Sequence, residues 1–449
     1  MTTGPFPVPH ATVPFWRTEL HKLDSHRSTP TLPEKQDIVI IGAGFAGAAL
    51  AYYLSRDASA SELSITILEA REACSGATGR NGGQLRPDIF NGAASRMKKH
   101  GLEVASDVAR FELDNAEALI SLIQSRGIDC DLRPETSGAV FIDEVEAADA
   151  KKLWDAMIAK DTPALKHVKY HGPEDAEQIS GVKGAVALYT CPTALIWPYK
   201  MVMHLLEAAV EAGVNLQTHT PVHAILQEGP DSSGYWTLDT GRGTTKAKHV
   251  VFATNAYTSG LLPQYVDAIV PCRGTVARVA AAAASEGGPQ PMLSGGVITK
   301  SPNSMDSYWG ARPDGSFIVG GAGSFRDKRE LWYRNFDDAS LIDPAVPFFQ
   351  QWAGKNLVGW EDVAMKIEDV WTGIMGYTSD DLPHVGAVPG KNGLYVCAGF
   401  MGHGMPNVLL CAKAIAELLK DGSPLTGSGI PACYQTSTDR LREAGAARR

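Results

Sequence analysis

The stretch IVIIGAGFAGAALAYYL, residues 38–54, decides the fold of this chain. Its first four residues form an apolar run typical of a buried strand, and residues 46–57 have the composition of a helix. A second apolar run, SITILE, follows at residues 64–69. This order of strand, glycine-rich turn, helix and strand predicts a β-α-β unit that begins at Asp37.

Three glycines, Gly42, Gly44 and Gly47, form the pattern G-x-G-x-x-G between the first strand and the helix. In a dinucleotide-binding unit they permit a tight turn, a close approach of backbone to pyrophosphate, and close packing of helix on strand. Glu69 ends the second strand, where its carboxylate can accept hydrogen bonds from ribose hydroxyls and disfavours the 2′-phosphate of NADP. The predicted nucleotide contacts of this unit are Gly42, Gly44, Phe45, Ala46, Gly47, Glu69, Ala70 and Val222. The alternative is a tight turn without a nucleotide, and the unit by itself leaves NAD and FAD open.

A second glycine-rich loop, CSGATGRNGGQ at residues 74–84, favours FAD. Its four glycines allow the backbone to press against a flat ligand, and its polar side chains can donate to phosphate or ring acceptors. NAD does not need such a loop. Near the C-terminus, GFMGHG at residues 399–404 precedes a predicted helix, whose N-terminus can face the flavin and stabilise its reduced, negatively charged form. The predicted contacts here are Thr78, Arg80, Asn81, Gly82, Gly83, Gln84, Gly402, His403, Gly404 and Met405; the alternative is two glycine-rich turns without a ligand.

The composition argues against several other classes of function. The 449 residues carry a net charge of −9, which disfavours nucleic acid as the main partner because phosphate binding requires a basic surface. No apolar run approaches the length of a membrane span. The seven cysteines have no zinc-ligand spacing, so we expect free thiols, no metal site and a reducing compartment. The N-terminus has no secretory pattern, and the expected location is the cytoplasm.

With these motifs in place, the chain resembles the D-amino acid oxidase-like superfamily of FAD-dependent oxidoreductases, which includes glycine and sarcosine oxidases. Within it, the chain resembles the γ-glutamylputrescine oxidoreductase-like branch. The resemblance covers residues 37–420 and rests on five stretches: IVIIGAGFAGAALAYYL, ATGRNGGQ, ATNAYTSGLLP, the Trp371-Thr372-Gly373 region and GFMGHG. These motifs are specific for fold and cofactor and much less specific for substrate.

The resemblance implies an α/β fold in which a Rossmann-type FAD-binding domain carries a mixed-sheet α+β substrate domain. The FAD-binding domain would be discontinuous, made of residues 37–92, 170–270 and 367–420. Residues 93–169 and 271–366 would form the substrate domain. Residues 1–36 would be an extended arm, fastened by Trp16, and residues 421–449 a C-terminal tail. The low-complexity segment 280–291 is interpreted as a surface connection between strands.

The activity implied by the resemblance is oxidation of a C–N bond in a small amine or amino acid. Hydride would pass to flavin N5, water would hydrolyse the resulting imine, and dioxygen would reoxidise the flavin and yield hydrogen peroxide. Three alternatives stay open: a dehydrogenase with an acceptor other than oxygen, a tailoring oxidase of a larger amine-containing metabolite, and a protein in which FAD is only structural. Sarcosine oxidases attach FAD through a cysteine where this chain has Gly373, and the ATGRNGG loop lacks the histidine that some relatives use. We therefore expect non-covalent FAD.

Four residues are the principal candidates for contact with substrate, and Trp309 is a further one. His403 could touch flavin or substrate, and Arg86 could bind a substrate carboxylate bidentately. Tyr308 and Trp371, together with Trp309, could form an aromatic wall around an amine. Each has a structural alternative: a histidine that satisfies backbone groups, an arginine paired with Asp88 or Glu69, and aromatic rings that are simply core.

Overall fold

The computed structural model describes residues 5–56, 63–89, 91–160, 162–282, 291–301, 304–321 and 327–446. Most of the low-complexity segment 280–291 lies outside these residues, so its interpretation as a surface connection stays a prediction. No helix among the described residues is both long enough and apolar enough to cross a membrane.

Strands and helices alternate in the first half of the chain and strands predominate in the middle. The strands are β1 (Lys35–Ile41), β2 (Ile65–Leu68), β3 (Arg133–Phe141), β4 (Lys169–His171), β5 (Ala187–Leu195), β6 (Asn215–Gln217), β7 (Val222–Ile225), β8 (Trp236–Thr240), β9 (Gly243–Phe252), β10 (Ile269–Ala281), β11 (Gly295–Ser301), β12 (Ser304–Ala311), β13 (Phe317–Gly321), β14 (Met365–Thr378), β15 (His384–Ala387) and β16 (Leu394–Ala398). The helices are α1 (Phe45–Leu54), α2 (Asn91–Arg126), α3 (Glu144–Ala159), α4 (Ala176–Ser180), α5 (Pro198–Glu211), α6 (Arg329–Trp332), α7 (Ala345–Asn356), α8 (Val408–Asp421) and α9 (Thr438–Ala446).

The first sheet has the strand order β15-β16-β9-β1-β2-β6, with the β7–β8 hairpin joined to β9. Neighbouring strands from β16 to β6 are parallel, and β15 is antiparallel to β16. The β-α-β unit predicted from Asp37 onwards is confirmed as β1, α1 and β2. Its strands are apolar on both faces because helices α1, α5 and α8 cover one face and the β7–β8 hairpin region covers the other.

Gly47 has the packing role that its position in the motif predicts. A Cβ atom on Gly47 would overlap the carbonyl oxygen of Gly42, so α1 can lie this close to β1 only with glycine here. Three small residues of the same helix, Ala48, Ala49 and Ala51, are fully buried. Close packing at this point directs the N-terminus of α1 towards the carboxyl ends of β1 and β2.

The second sheet is mixed and has the order β14-β10-β13-β12-β11-β3-β5-β4. Its neighbours are antiparallel except for β11 and β3, which are parallel. Helix α7 covers one face with Trp352, and helix α3 packs near the β3–β5 end of the other. An α/β protein with one Rossmann-type sheet and one mixed sheet is the fold class that the sequence predicts.

Sheet membership differs from the predicted domain boundaries at two places. Strands β4 and β5 were assigned to the FAD-binding domain with residues 170–270, but they pair with β3 of the second sheet. Most of β14 was assigned to the same domain with residues 367–420, but β14 pairs with β10. By their hydrogen bonds, these three strands belong to the second sheet. The domain boundaries themselves stay a prediction.

Both ends of the described chain lie on the body. In the arm, the Trp16 side chain is buried and its Nε1 donates to the carbonyl oxygen of Asn81 at 2.6 Å. In the tail, the ring of Tyr434 is buried, and Arg440 binds Asp380 and four backbone carbonyls around it. Residues 431–440 therefore fasten the tail to β15 and to the turn before it.

Candidate active site

A cavity of about 1040 Å³ runs between the two sheets. Drug-sized ligands occupy pockets of roughly 300–1,000 Å³, so this cavity can hold a dinucleotide together with a small molecule. The carboxyl ends of β1 and β2 open into it at Ile41 and Leu68, as does Ala253 directly after β9. Strands of the second sheet face it from the other side, with most of these lining residues on β10 and β14 and others on β3, β11, β12 and β13. Ligands of doubly wound sheets bind at this edge of the parallel strands.

The glycine turn forms one end of the cavity. Gly42 has φ +108°, and a Cβ there would lie 2.7 Å from the carbonyl oxygen of Ala253, so both conformation and space require glycine. Gly44, Phe45 and Ala46 line the cavity beside it. The Glu69 carboxylate accepts from the Ala43 and Arg71 amides at 2.8 and 2.9 Å, which fixes it at the end of β2. Ala70 and Val222 line the same end.

The second glycine-rich loop contains a single helical turn, Ala77–Arg80, which lies against the N-terminus of α1. The hydroxyl of Thr78 accepts from the Phe45 amide at 3.1 Å, which joins the two predicted nucleotide loops. Asn81, Gly82 and Gln84 line the cavity, and Gln84 Nε2 donates to the Trp309 carbonyl at 2.6 Å. The loop is therefore positioned by both the first and the second sheet.

Arg80 differs from its predicted use as a donor to the ligand. Although the residue lines the cavity, its guanidinium is buried and donates to the carbonyls of Ser75 and Thr372 at 2.7 and 2.8 Å. Nη1 also donates to the Thr12 hydroxyl at 3.1 Å. The side chain therefore ties this loop to β14 and to the arm.

Three predicted site residues do not line the cavity: Gly47, Gly83 and Trp371. Gly47 packs α1 on β1, as described above. A Cβ on Gly83 would lie 2.7 Å from the Ile196 carbonyl oxygen, so this glycine serves close packing behind the loop. Trp371 is fully buried, and its Nε1 donates to the Arg80 carbonyl at 2.8 Å. It supports the loop from beneath, and the structure shows this contact in place of the predicted contact with substrate.

The GFMGHG turn closes the cavity between β16 and α8. Gly402, His403, Gly404 and Met405 all line it. The side-chain oxygen of Asn255 accepts from the amides of Gly399 and Phe400 at 3.0 and 3.3 Å and so holds the start of the turn. Asn255 belongs to the ATNAYTSGLLP stretch, but the sequence gives no sign that it reaches a turn 144 residues later.

His403 faces a buried acidic group across the cavity wall. Its Nε2 lies 4.0 Å from Oδ2 of Asp88. Burial by itself raises the pKa of Asp88, but the electrostatic interactions with His403, Arg96 and Arg86 and the Gly92 amide outweigh it and lower that pKa to about 2. Asp88 is thus a stable carboxylate beside the imidazole.

A buried polar network holds this pair in place. Glu112 accepts from the Asp88 amide at 2.5 Å and from Asn407 Nδ2 at 3.1 Å. Asn407 also donates to the His403 carbonyl at 2.9 Å, and the Tyr434 hydroxyl donates to Asn407 Oδ1 at 2.7 Å. The network connects the loop at Asp88, helix α2 and the GFMGHG turn. No sequence pattern pointed to Glu112, Asn407 or Tyr434.

Arg86 lines the cavity and is buried, and its Nη1 donates to the Pro87 carbonyl at 3.3 Å. Within the described part of the chain, no carboxylate lies within ion-pair distance of it. Asp88 is instead 3.6 Å from Arg96, and Glu69 binds backbone amides. The structural alternative, an ion pair of Arg86 with Asp88 or Glu69, is therefore not observed.

Tyr308 projects from β12 into the cavity, where its ring packs between two glycines. A Cβ on Gly82 would lie 2.5 Å from the ring, and a Cβ on Gly320, its partner across β13, would overlap the ring and hydroxyl. Burial raises the pKa of the Tyr308 phenol, which keeps it protonated. Trp309 points to the opposite face, as alternation along a strand requires, and packs on Trp352 as core.

Strands β10 and β14 contribute lining residues that the sequence did not indicate. These are Cys272, Arg273, Thr275, Met375 and Tyr377, joined by Tyr257 from the turn after β9. Gly373 also lines the cavity, and a Cβ atom added at this position would contact Arg80. Among the described residues there is no group of three or more histidine, cysteine or acidic side chains that could hold a metal ion.

The residues present fit FAD. An acid ends β2, a glycine cradle faces the N-terminus of α1, and two further glycine turns border one continuous cavity. The sequence profile of the family described as "FAD dependent oxidoreductase" matches residues 37–418. The chain belongs to this family. It is therefore an FAD-dependent oxidoreductase, as the resemblance of its motifs implied.

Individual relatives are distant but cover most of the chain. A gamma-glutamylputrescine oxidoreductase of Escherichia coli (strain K12) is 24% identical over 392 residues, which are 86% of this chain and 83% of that protein. A glycine oxidase of Geobacillus kaustophilus is 24% identical over 403 residues, 87% and 94% of the two chains. The crystal structure of glycine oxidase from Geobacillus kaustophilus superposes with a TM-score of 0.70 at 21% identity and covers 90% of this chain and 99% of that one.

Proposed function

We propose that the chain oxidises the C–N bond of a small amine or amino acid to an imine. The observation that carries this proposal is Arg86, a buried guanidinium without a carboxylate partner among the described residues, in the same cavity as the nucleotide turns. A buried cation is costly unless it is paired, and a substrate carboxylate would pair it. The relatives named gamma-glutamylputrescine oxidoreductase and glycine oxidase support an amine or amino-acid substrate.

Three side chains on the cavity surface have separate roles in the proposed reaction. Arg86 binds and orients the carboxylate of an amino-acid substrate. His403 accepts the proton of the substrate ammonium at Nε2, and the nearby Asp88 carboxylate stabilises the imidazolium. Tyr308 supplies an aromatic wall that excludes water and favours the amine. FAD, when bound, accepts two electrons and the hydrogen of the C–H bond next to the neutral amine nitrogen.

The overall reaction balances without a further residue. Loss of the ammonium proton and of a hydride from the adjacent carbon leaves a protonated imine, which water hydrolyses to a carbonyl compound and an ammonium or alkylammonium ion. Dioxygen takes up the two electrons, the proton of the hydride and the proton held by His403, and becomes hydrogen peroxide. FAD held without a covalent link would support this cycle.

Product stoichiometry under air tests the reaction. With a substrate from a panel of amines and amino acids, we expect one carbonyl compound and one hydrogen peroxide for each dioxygen consumed. Stopped-flow mixing of the reduced enzyme with air separates the oxidase from the alternative. Reduced flavin that persists for minutes, together with rapid turnover when an artificial acceptor is added, would identify a dehydrogenase.

A further inference from the structure

The N-terminal arm reaches the cofactor cavity. Phe6 and Pro7 line the same cavity as the glycine turn and Glu69, and the side chain of Phe6 is half-buried there. From sequence alone, the arm is expected only to lie on the body, and the family profile, which matches residues 37–418, does not include it.

Two contacts place Phe6 at the Glu69 end of the cavity. Nη1 of Arg71, two residues after Glu69, donates to the carbonyl of Val8 at 3.1 Å. On the other side, a Cβ on Gly260 would lie 2.5 Å from the Pro5 carbonyl oxygen and 3.3 Å from the Phe6 ring. The arm thus passes between the turn after β2 and the turn after β9.

The arm is fastened firmly beyond this point. The Thr12 amide and hydroxyl donate to the Asp338 carbonyl at 2.8 and 3.0 Å, and the hydroxyl accepts from Arg80 and from the Thr372 amide. The Asp338 carboxylate, almost fully buried, binds Arg71 at 3.0 Å. Trp16 then anchors the arm behind the second glycine-rich loop. These contacts fix Phe6 and Pro7 in relation to both nucleotide loops.

We propose that Phe6 and Pro7 complete the FAD site at its adenosine end, and that the contacts of Val8, Thr12 and Trp16 hold them there. Glu69 is the acid that binds the adenosine ribose in a unit of this kind, so the wall beside it faces the adenosine. An aromatic ring and a proline that are already ordered provide apolar surface for the adenine at low entropic cost. This inference rests on FAD as the cofactor and is independent of the amine substrate.

Titration of the full-length apoprotein with FAD tests the arm. Replacement Phe6→Ala should weaken FAD binding by about tenfold, because the variant loses apolar surface that would cover the adenine. ADP, which carries the adenosine end alone, should lose affinity by a similar factor. Val13→Ala is the matched control, since Val13 lies on the same arm with its side chain 71% exposed and should leave both affinities unchanged.

Thermal unfolding distinguishes a cofactor contact from a purely structural one. A ligand that binds only the folded state raises Tm, and the rise shrinks when its affinity falls. We expect Phe6→Ala to reduce the rise in Tm caused by FAD and by ADP. Unchanged affinities, or a lower Tm of the apoprotein with the same FAD-induced rise, would overturn the proposal. A variant that loses FAD affinity but keeps ADP affinity would also contradict it, because Phe6 would then act at the flavin end. If no amine reduces the flavin but Phe6→Ala still weakens ADP, only the proposed function fails.

Discussion

At the scale of single residues, the site combines a turn that requires glycine with side chains that face one cavity. Gly42 has φ +108° in this turn, and the Glu69 carboxylate is fixed beside it by backbone amides. Arg86 and Tyr308 line the same cavity, whereas Arg80 and Trp371 donate to backbone carbonyls around it. Replacements at Arg86 and at the glycine that packs against Tyr308 therefore test the substrate side of the site.

Replacement of Arg86 by methionine should separate amino acids from simple amines. A hydrogen-bonded charge pair is worth about 1.5–3 kcal/mol, so kcat/KM for an amino acid should fall by about 10- to 100-fold. An amine without a carboxylate should be affected much less. Arg86→Lys should restore part of the loss, and Arg110→Met, at an exposed arginine, serves as the control. Equal losses for both kinds of substrate would show that Arg86 does not bind a carboxylate.

Replacement of Gly320 by alanine should displace the Tyr308 ring. The new methyl group would overlap the ring and hydroxyl, so the ring would have to change its position in the cavity. We expect slower reduction of the flavin by substrate, an unchanged affinity for FAD, and a loss of stability of about 1–3 kcal/mol. Gly229→Ala, where the added Cβ meets open space, is the matched control. Normal reduction kinetics in Gly320→Ala would mean that the position of Tyr308 is unimportant.

At the scale of elements, the existence of strands was easier to predict than their partners. Strands β5 and β14 have the same apolar character as strands of the first sheet, and local pattern does not say which sheet they join. Their pairing with β3 and β10 depends on contacts far along the chain. For the same reason, the sequence did not indicate the site residues that β10 and β14 contribute. By contrast, the β-α-β unit was predictable because β1, α1 and β2 are consecutive.

The contact between β15 and the tail should make stability depend on pH. His384 is buried beside Thr436, with its Nδ1 3.0 Å from the hydroxyl. Burial and the positive charge of Arg440 lower its pKa from 6.5 to about 3, although the Asp380 carboxylate opposes the shift. Between these two pH values the unfolded chain binds a proton that the folded chain does not. The stabilisation is therefore complete above about pH 6.5 and is lost as the pH falls towards 3.

Chemical denaturation at several pH values between 4 and 7 measures this effect. In the wild type His384 should contribute at most about 1.4 kcal/mol of unfolding free energy per pH unit. His384→Gln should give a shallower dependence on pH, whereas His10→Gln, at an exposed histidine, should give the wild-type slope. A wild-type slope in His384→Gln would show that protonation of this residue does not limit stability in acid.

At the scale of the whole molecule, the site exists only because both sheets, the arm and the turn before α8 converge on one cavity. The sequence predicted the cofactor from three separate glycine turns, each of which lines this cavity. It gave no indication that Phe6 of the arm or Tyr434 of the tail would reach it, because neither carries a motif. Predictions about cofactor retention and turnover therefore belong to the assembled molecule.

The cofactor should leave the protein when the chain unfolds. Gly373 stands where sarcosine oxidases have the linking cysteine, and Cys272 and Cys397, which line the cavity, are buried thiols whose pKa burial raises to about 12. Neither is a thiolate near neutral pH, so neither is suited to attack the flavin. Acid precipitation should release all flavin into the supernatant. A yellow band that stays with the chain in a denaturing gel would contradict non-covalent binding.

Anaerobic reduction of the bound flavin by a panel of amines, amino acids and polyamines tests the central claim most directly. Without oxygen, the reaction stops after the two-electron step, so the loss of the yellow flavin absorption reports C–N oxidation alone. We predict complete bleaching by at least one amine, with formation of one carbonyl equivalent for each flavin. Flavin that dithionite bleaches but that no amine reduces would contradict the account and leave FAD with another substrate or a structural role.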